Sequence, residues 1–402
     1  MKSRFQLLKQ SRLFESASEH VLEKVCSIVK EKKLKAGTVL FHKGDSGDSM
    51  FIISSGKMLV HDSDLRIAVL GENDVFGEMA ALDREKRTAT LTALEDTVLI
   101  QIDRDELFAL GAKEPEIARA LIHFLCQREK YFIDDIAEQT LKIRTMVREL
   151  EIAAEIQSSF LPPNLPDVPG WCFKALFRAA RNVAGDFYDA FILDDHNALG
   201  FVVGDVCGKG IGAAIFMALF RSLIRANMLS QAANYKSSLT GEDIKQLLLH
   251  TFNSSNSYVS STHYDSMMFA TIFAAVVLPE TGQIFYVNAG HNSPFILNKN
   301  GVVQTLLNNS PSVGIFPGAE FNVNQTEIQK DEVLLGFTDG VTEAVNSENQ
   351  QFSEERLINI FSENIGNGIG TAVNCFKEEF DKFCGNVEQF DDITILALSR
   401  KT

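Results

Sequence analysis

Four acidic positions in the second half of the chain each sit beside an apolar run. They are Asp186 in Val-Ala-Gly-Asp-Phe-Tyr-Asp, Asp205 in Val-Val-Gly-Asp-Val-Cys-Gly-Lys-Gly, Asp339 in Leu-Leu-Gly-Phe-Thr-Asp-Gly and the pair Asp391-Asp392 in Gln-Phe-Asp-Asp-Ile-Thr. Carboxylate oxygens are the ligands that Mg²⁺ and Mn²⁺ prefer. A single Asp-Gly is an ordinary turn. Four acids attached to buried-strand patterns such as Leu199 to Val203 and Val333 to Phe337 point instead to a hard-cation site at strand ends. Two divalent cations roughly 3.5–4 Å apart activate water for in-line attack on a phosphate monoester, a bond otherwise very slow to hydrolyse. The chain shows no cysteine-nucleophile loop, serine triad or GxxxxGK[ST] element, which removes kinase, other hydrolase and NTPase readings.

A second constellation lies near the N-terminus, where Phe76-Gly77-Glu78-Met79-Ala80-Ala81-Leu82 precedes Arg87-Thr88-Ala89. The Ala-rich run implies a short helix between strands. Its N-terminal N–H groups and the Arg87 guanidinium suit a small phosphorylated ligand. The alternative is a salt-bridged β-roll in which Glu78 and Arg87 pair with each other.

The elements that must position these residues fall into three parts. Residues 34 to 103 alternate short β-type runs (Thr38–Phe41, Met50–Ser54, Lys57–His61, Arg66–Leu70, Ala89–Ala93, Thr97–Ile102) with Gly and Asp turns, which predicts a small β-roll. Helical patterns over Ser18–Val29 and Arg104–Gly111 flank it. From Glu114-Pro115 a helix without Gly or Pro runs to Pro162-Pro163, where proline must end it. Within it Phe132, Ile136, Gln139, Ile143, Met146, Leu150, Ala153, Gln157 and Phe160 recur at alternating spacings of four and three, the seam of a coiled coil that would pair two protomers. An amphipathic helix lying on its own domain is the alternative. The expected domains are therefore 1–111, a helical linker 112–161, and 162–402. In the last, Met267 to Leu278 reads as a buried strand whose hairpin turn at Pro279 to Gly282 leads into Gln283 to Asn288, and a helix follows Gly210.

At 402 residues the chain is long enough for two or three cores, and with 45% apolar and 23% charged residues it reads as globular. A net charge of −15, with no long basic cluster, argues against nucleic acid. The six cysteines are scattered, with no CxxC pair and no secretory signal, so a reduced cytoplasm is the expected compartment. The longest apolar stretch, Met267 to Leu278, is too short to span a membrane.

Gly185 to Asp189, Gly204 to Gly210, Asn288 to Pro294, Thr338 to Ala344 and Asp391 to Thr394, in this order, resemble the motifs of the metal-dependent PPM-type serine/threonine phosphatases, in their sporulation and stress-response (SpoIIE-like) branch. The resemblance covers roughly residues 160 to 400 and implies an α-β-β-α sandwich with two Mn²⁺ or Mg²⁺. It makes Asp205 the ligand shared by both metals and adds the Val206 carbonyl to the first. Asp339 and Asp391 hold the second, Asp392 is the further metal ligand of the acidic pair, and Asp186 binds directly or through water. It implies a phosphoserine or phosphothreonine protein as substrate, an anti-sigma-factor antagonist or similar. Eukaryotic relatives carry a histidine where this chain has Cys207, which leaves His291 and water as rival proton donors; Lys209 either greets the phosphate or caps its turn.

The second constellation, near the N-terminus, resembles the cyclic nucleotide-binding domains, helped by Gly37 to Phe41, Lys43 to Asp45 and Gly47 to Phe51. That resemblance implies a nucleotide site of Gly77, Glu78, Met79, Arg87 and Thr88, in which Glu78 takes the ribose hydroxyl and Arg87 grips the cyclic phosphate. Lys86 stands where that family usually has proline. Thr88 does not decide between cyclic AMP and cyclic GMP. Two rivals remain: a pseudophosphatase scaffold, and an active phosphatase whose β-roll only assembles protomers.

Overall fold

The computed structural model describes residues 4–83, 85–193, 198–235 and 239–401. The chain forms two compact units, Met1–Ile143 and Arg144–Thr402.

The first unit opens with helices α1 (Arg4–Gln10) and α2 (Glu19–Ile28). Strands β1 (Lys30–Leu34), β2 (Val39–Phe41), β3 (Ser49–Ser55), β4 (Met58–Asp62), β5 (Leu65–Leu70) and β6 (Val75–Phe76) follow; then come helix α3 (Glu78–Asp83), strands β7 (Thr90–Ala93) and β8 (Thr97–Asp103), and helix α4 (Arg104–Gly111). The strands make two antiparallel sheets ordered β1-β8-β3-β6 and β2-β7-β4-β5, the predicted β-roll. The period of two along β3 sorts its side chains: Phe51 and Ile53 fill the roll with Met58, Phe76 and Leu99, while Met50 and Ile52 pack on the helices with Leu22, Val25 and Leu107. Strands β1 and β6 escaped the sequence pattern, because β1 is a mostly exposed Lys-Glu-Lys-Lys edge and β6 is two residues long.

Helix α5 runs from Pro115 to Phe160. Its first turns bury Ile117, Ala120 and Phe124 in the core of the first unit. Of the proposed seam, Phe132, Ile136, Ile143 and Met146 are exposed apolar residues, as a free seam requires. Gln157 is a correction: it is buried, donating from Nε2 to the Ala184 carbonyl (2.7 Å) and accepting from the Ala184 N–H (2.9 Å). That end of the helix is packed onto the second unit's own chain and cannot belong to a seam.

The second unit contains strands β9 (Trp171–Arg178), β10 (Phe187–Leu193) and β11 (Ala198–Val206), helices α6 (Ile211–Ala232) and α7 (Gly241–Thr262), and strands β12 (Ala270–Val277), β13 (Gln283–Ala289), β14 (Phe295–Asn298), β15 (Gly301–Thr305), β16 (Asn324–Glu327) and β17 (Val333–Phe337). Helices α8 (Asp339–Thr342), α9 (Ser353–Asn364) and α10 (Ile369–Cys384) and strand β18 (Ile393–Arg400) complete it. Two five-stranded antiparallel sheets, β10-β11-β12-β13-β16 and β15-β14-β17-β18-β9, share a core of Phe201, Val203, Phe273, Ile296, Leu334 and Leu396. Helices α6 and α7 cover the outer face of the first sheet, and α9 and α10 that of the second, which makes the α-β-β-α sandwich.

Alternation along β11 is what aims the chemistry. Val202 and Val206 face the helices, Phe201 and Val203 face the other sheet, and Asp205 shares their parity at the strand's end. The strand expected from Met267 starts at Ala270; Met267 is 84% exposed with φ +50°, in a turn that leads into it. Helix α6 has 22 residues and is apolar enough to cross a membrane by length and composition. It is instead packed on the first sheet through Met217, Phe220, Ile224 and Met228.

Candidate functional site

The sheets bring the predicted acids to one end of the sandwich. Asp186 immediately precedes β10, Asp205 is the penultimate residue of β11, Asp339 follows β17 and Asp391-Asp392 precede β18. Two glycines permit the approach. A Cβ at Gly185 would lie 3.0 Å from the Val206 carbonyl oxygen and 3.6 Å from Asp205 Oδ1, so glycine keeps a cradle open beside two of the expected ligand groups. A Cβ at Gly340 would fall 1.9 Å from the Asp392 carbonyl oxygen, so only glycine lets the Asp339 turn meet the Asp391 segment.

Charge in this cluster is uncompensated. Asp205 is pushed up to about 7 by burial and by the charges of Asp339, Asp391 and Asp392, while its side chain hydrogen-bonds that of Asp186. Asp186 is fully buried and raised well above the usual carboxylate range by burial and by Asp205, although the hydroxyls of Thr338 and Thr394 each donate to its Oδ2 at 2.7 Å. Asp339 is raised by burial and by Asp391 and Glu343. Crowded carboxylates are hard oxygen donors whose mutual repulsion a divalent cation would relieve, and they fit Mg²⁺ or Mn²⁺. Among the described residues no three His, Cys, Asp or Glu side chains already converge as a ligand set. Lys209 Nζ holds Asp391 Oδ2 at 2.8 Å, also donates to the Phe390 carbonyl, and lies 3.7 Å from the Phe390 ring centroid.

Asp392 departs from the expectation of a ligand. Its Oδ1 accepts from the Ala180 N–H (2.8 Å) and its Oδ2 from the Gly185 N–H (2.7 Å), so it pins the loop that carries Asp186. Cys207 is knitted to a neighbouring turn, its Sγ accepting from the Phe269 N–H at 3.2 Å and its N–H donating to the Phe269 carbonyl. His291 is buried, with Nδ1 2.9 Å from Thr271 Oγ1, and burial holds it down at about 4. The Phe337 carbonyl opposes that shift without closing a hydrogen bond to Nε2. A neutral, enclosed ring of this kind is no general acid near neutral pH.

Sequence reasoning overlooked three supports of this site. Thr338 and Thr394 flank the quoted acids, and their β-strand propensity hid their role on Asp186. Asp189, buried on β10, accepts from Arg225 Nη1 at 2.8 Å, while Arg221 Nε sits 2.9 Å from its Oδ2 as an ion pair without hydrogen-bond geometry. Both arginines project from α6, one turn apart, a spacing that could have been read as one helix face.

In the first unit a cavity of about 240 Å³ is lined by Gly77, Glu78, Met79, Arg87 and Thr88, as expected, with Phe41, Val60 and Leu70. Glu78 and Arg87 do not pair with each other. The buried Glu78 carboxylate meets Arg128 of α5. Arg87 donates to the carbonyls of Gly77 and Ser49, both at 2.9 Å, and its guanidinium lies 4.2 Å from the Phe41 ring centroid. Burial lowers its affinity for its proton, partly offset by Asp48 and Asp45. Arg128 carried no signal in the sequence, because only folding brings it beside Glu78.

Comparison with known proteins gives relatives for both units. Residues 31–114 match the cyclic nucleotide-binding domain. Protein IcfG of Synechocystis sp. is 39% identical over 302 residues, 72% of this chain but 47% of that protein, so the chain spans about half the length of this relative. Phosphoserine phosphatase RsbU of Bacillus subtilis is 25% identical over 63% of this chain and 70% of its own. The solved SiaA-PP2C domain of Pseudomonas aeruginosa superposes with a TM-score of 0.51 over 64% of this chain and 98% of that one; at 18% identity it shows a shared fold. Residues 195–401, just over half of the 402-residue chain, match Stage II sporulation protein E (SpoIIE), and the chain belongs to that family.

Proposed function

We propose that this chain is a cyclic-nucleotide-regulated, metal-dependent protein serine/threonine phosphatase, divided as 1–111, 112–161 and 162–402. The observation that carries the phosphatase reading is the meeting of Asp186, Asp205, Asp339 and Asp391 at one end of the sandwich, with Gly185 leaving the Val206 carbonyl open beside Asp205. Asp205 and the Val206 carbonyl would hold one cation, and Asp339 and Asp391 a second bridged through Asp205. When bound, the pair supplies a nucleophilic water and neutralises charge on the transferring phosphoryl group. Thr338 and Thr394 fix Asp186, and Asp392 fixes its loop, so the acids meet cations without rearranging the backbone. Lys209, released from Asp391, is placed to greet the substrate phosphate.

The proposed substrate is a phosphoserine or phosphothreonine protein, an anti-sigma-factor antagonist or similar; a relative named a phosphoserine phosphatase supports the phosphoserine part of that reading. The first unit's cavity takes cyclic AMP or cyclic GMP, and Glu78, through its partner Arg128, ties ligand binding to α5. The exposed Phe132, Ile136, Ile143 and Met146 pair two copies in a cytoplasmic homodimer, a point checked by light scattering at micromolar concentration. A second reading, in which the β-roll only assembles protomers, is favoured by one fact: Glu78 and Arg87 already have protein partners.

The test is turnover of p-nitrophenyl phosphate with Mn²⁺, with and without each cyclic nucleotide. Mn²⁺-dependent turnover altered by one nucleotide supports the whole reading. Turnover indifferent to both leaves the assembly reading, and no turnover at all leaves a scaffold.

A further inference from the structure

Beside the acids lies a hollow of opposite chemistry. Most of its wall is apolar: Phe380 and Cys384 near the end of α10, Ala344 and Val345 after α8, Val387 on the loop that leads to Asp391, and Ile393 at the start of β18, with Arg178, ion-paired to Asp381, and Gln389 also lining it. Gly340 and Asp391, from the acid site itself, close its other side, so the two depressions share a wall. The hollow holds about 50 Å³. That is room for a few waters or one short aliphatic group, and an apolar lining gives water few hydrogen-bond partners there. An apolar occupant therefore displaces poorly held water.

We propose that this hollow is a specificity subsite of the phosphatase, taking an aliphatic side chain of the phosphoprotein segment, two residues from the phosphorylated serine or threonine. The proposal rests on the phosphatase reading above. Its occupant is set by continuity with the acid site and by size, since the space is too small for a helix or a lipid chain. In an extended segment, side chains two residues apart point the same way, roughly 6.6 Å apart. A phosphoserine directed at Asp205 and Asp391 therefore directs its second neighbour at the adjoining hollow. Phe390, 79% exposed at the junction with its ring under Lys209, offers an apolar ledge beneath the backbone between them. Exposed carboxylates Glu343 and Glu388 at the rim favour a basic residue further along the segment.

The experiment uses the full chain with Mn²⁺ and phosphoserine peptides carrying Leu, Ala or Asp at the second position on either side. One of the two positions should prefer Leu over Ala by about tenfold in kcat/KM, the size of effect a methylene or two has in an apolar pocket. Val387→Trp, which fills the hollow, should erase that preference while leaving p-nitrophenyl phosphate turnover within about twofold. Should that variant fold poorly, Ala344→Leu fills the same space from another wall. Fluorescence anisotropy with the same peptides reads binding where turnover is slow. Equal binding and turnover of Leu and Ala peptides at both positions would overturn the subsite, whereas loss of p-nitrophenyl phosphate turnover in the wild type would overturn the phosphatase reading instead.

Discussion

The two candidate sites differ in how they keep their charge. In the second unit, carboxylates face one another with a few hydroxyls, the Gly340 N–H and Lys209 as partial relief, so burial and like charge raise Asp186, Asp205 and Asp339. In the first unit, the buried Glu78 has Arg128, and Arg87 has two carbonyls and an aromatic face. The first arrangement is short of positive charge and gains by binding cations. The second is satisfied, so a nucleotide must exchange its contacts for existing ones and gains only the difference. One site is short of positive charge, and the other is already paired.

The largest effect expected is at the acids. Asp205→Ala or Asp339→Ala should lower Mn²⁺-dependent p-nitrophenyl phosphate turnover by more than about a hundredfold, beyond what loss of an outer-sphere partner costs. The melting temperature without metal should hold or rise, because like-charge repulsion is relieved. A variant that keeps wild-type turnover would break the comparison outright.

Asp189→Asn tests the same end of the sandwich through its support. It leaves Arg221 and Arg225 of α6 without their carboxylate, which should destabilise the second unit by about 3 kcal/mol, the low end for breaking a buried pair because Arg225 is 34% exposed. Urea unfolding measures it; a loss under about 1 kcal/mol would mean that the pair orients α6 without stabilising it.

For the satisfied site, Arg87→Ala should weaken cyclic-nucleotide binding about ten- to a hundredfold, since a charge-assisted phosphate contact is worth about 1.5–3 kcal/mol. The nucleotide dose that alters turnover should shift equally. Calorimetric titration beside the phosphatase assay decides. Wild-type protein that binds neither nucleotide below millimolar would turn the roll into an assembly module.

Arg128→Ala sharpens the contrast with the smallest effect. Freed from its partner, Glu78 has no contact to give up, and nucleotide affinity should rise by about two- to fivefold if exchange costs about 0.5–1 kcal/mol. Weaker binding in the same titration would make Arg128 a direct contact of the ligand.

Much of this was legible beforehand, for identifiable reasons. Four of the quoted acids sit at the ends of apolar runs, which marked them as strand-end residues, whereas the face that Asp205 takes on β11 came from the structure. The β-roll strands were marked by Gly and Asp turns, and the prolines after Phe160 ended α5 where proline must. Other parts were hidden. The heptad spacing continued through Gln157, yet that side chain is spent on the backbone of Ala184. Met267 is as apolar as the strand it precedes, yet it stands almost wholly in solvent.

By itself, the sequence determined the chemistry on offer: which residues can hold hard cations, which stretches alternate as strands, and where helices must stop. Those properties are local, set by side-chain type and by short-range backbone geometry. Only the tertiary structure decided partners. It gave Glu78 to Arg128 rather than to Arg87, spent Asp392 on the N–H groups of Ala180 and Gly185, and set Thr338 and Thr394 on Asp186. Each of those pairings joins residues far apart in the chain, and burial makes each one obligatory, because a polar group withdrawn from water must find its partner wherever the packing brings one.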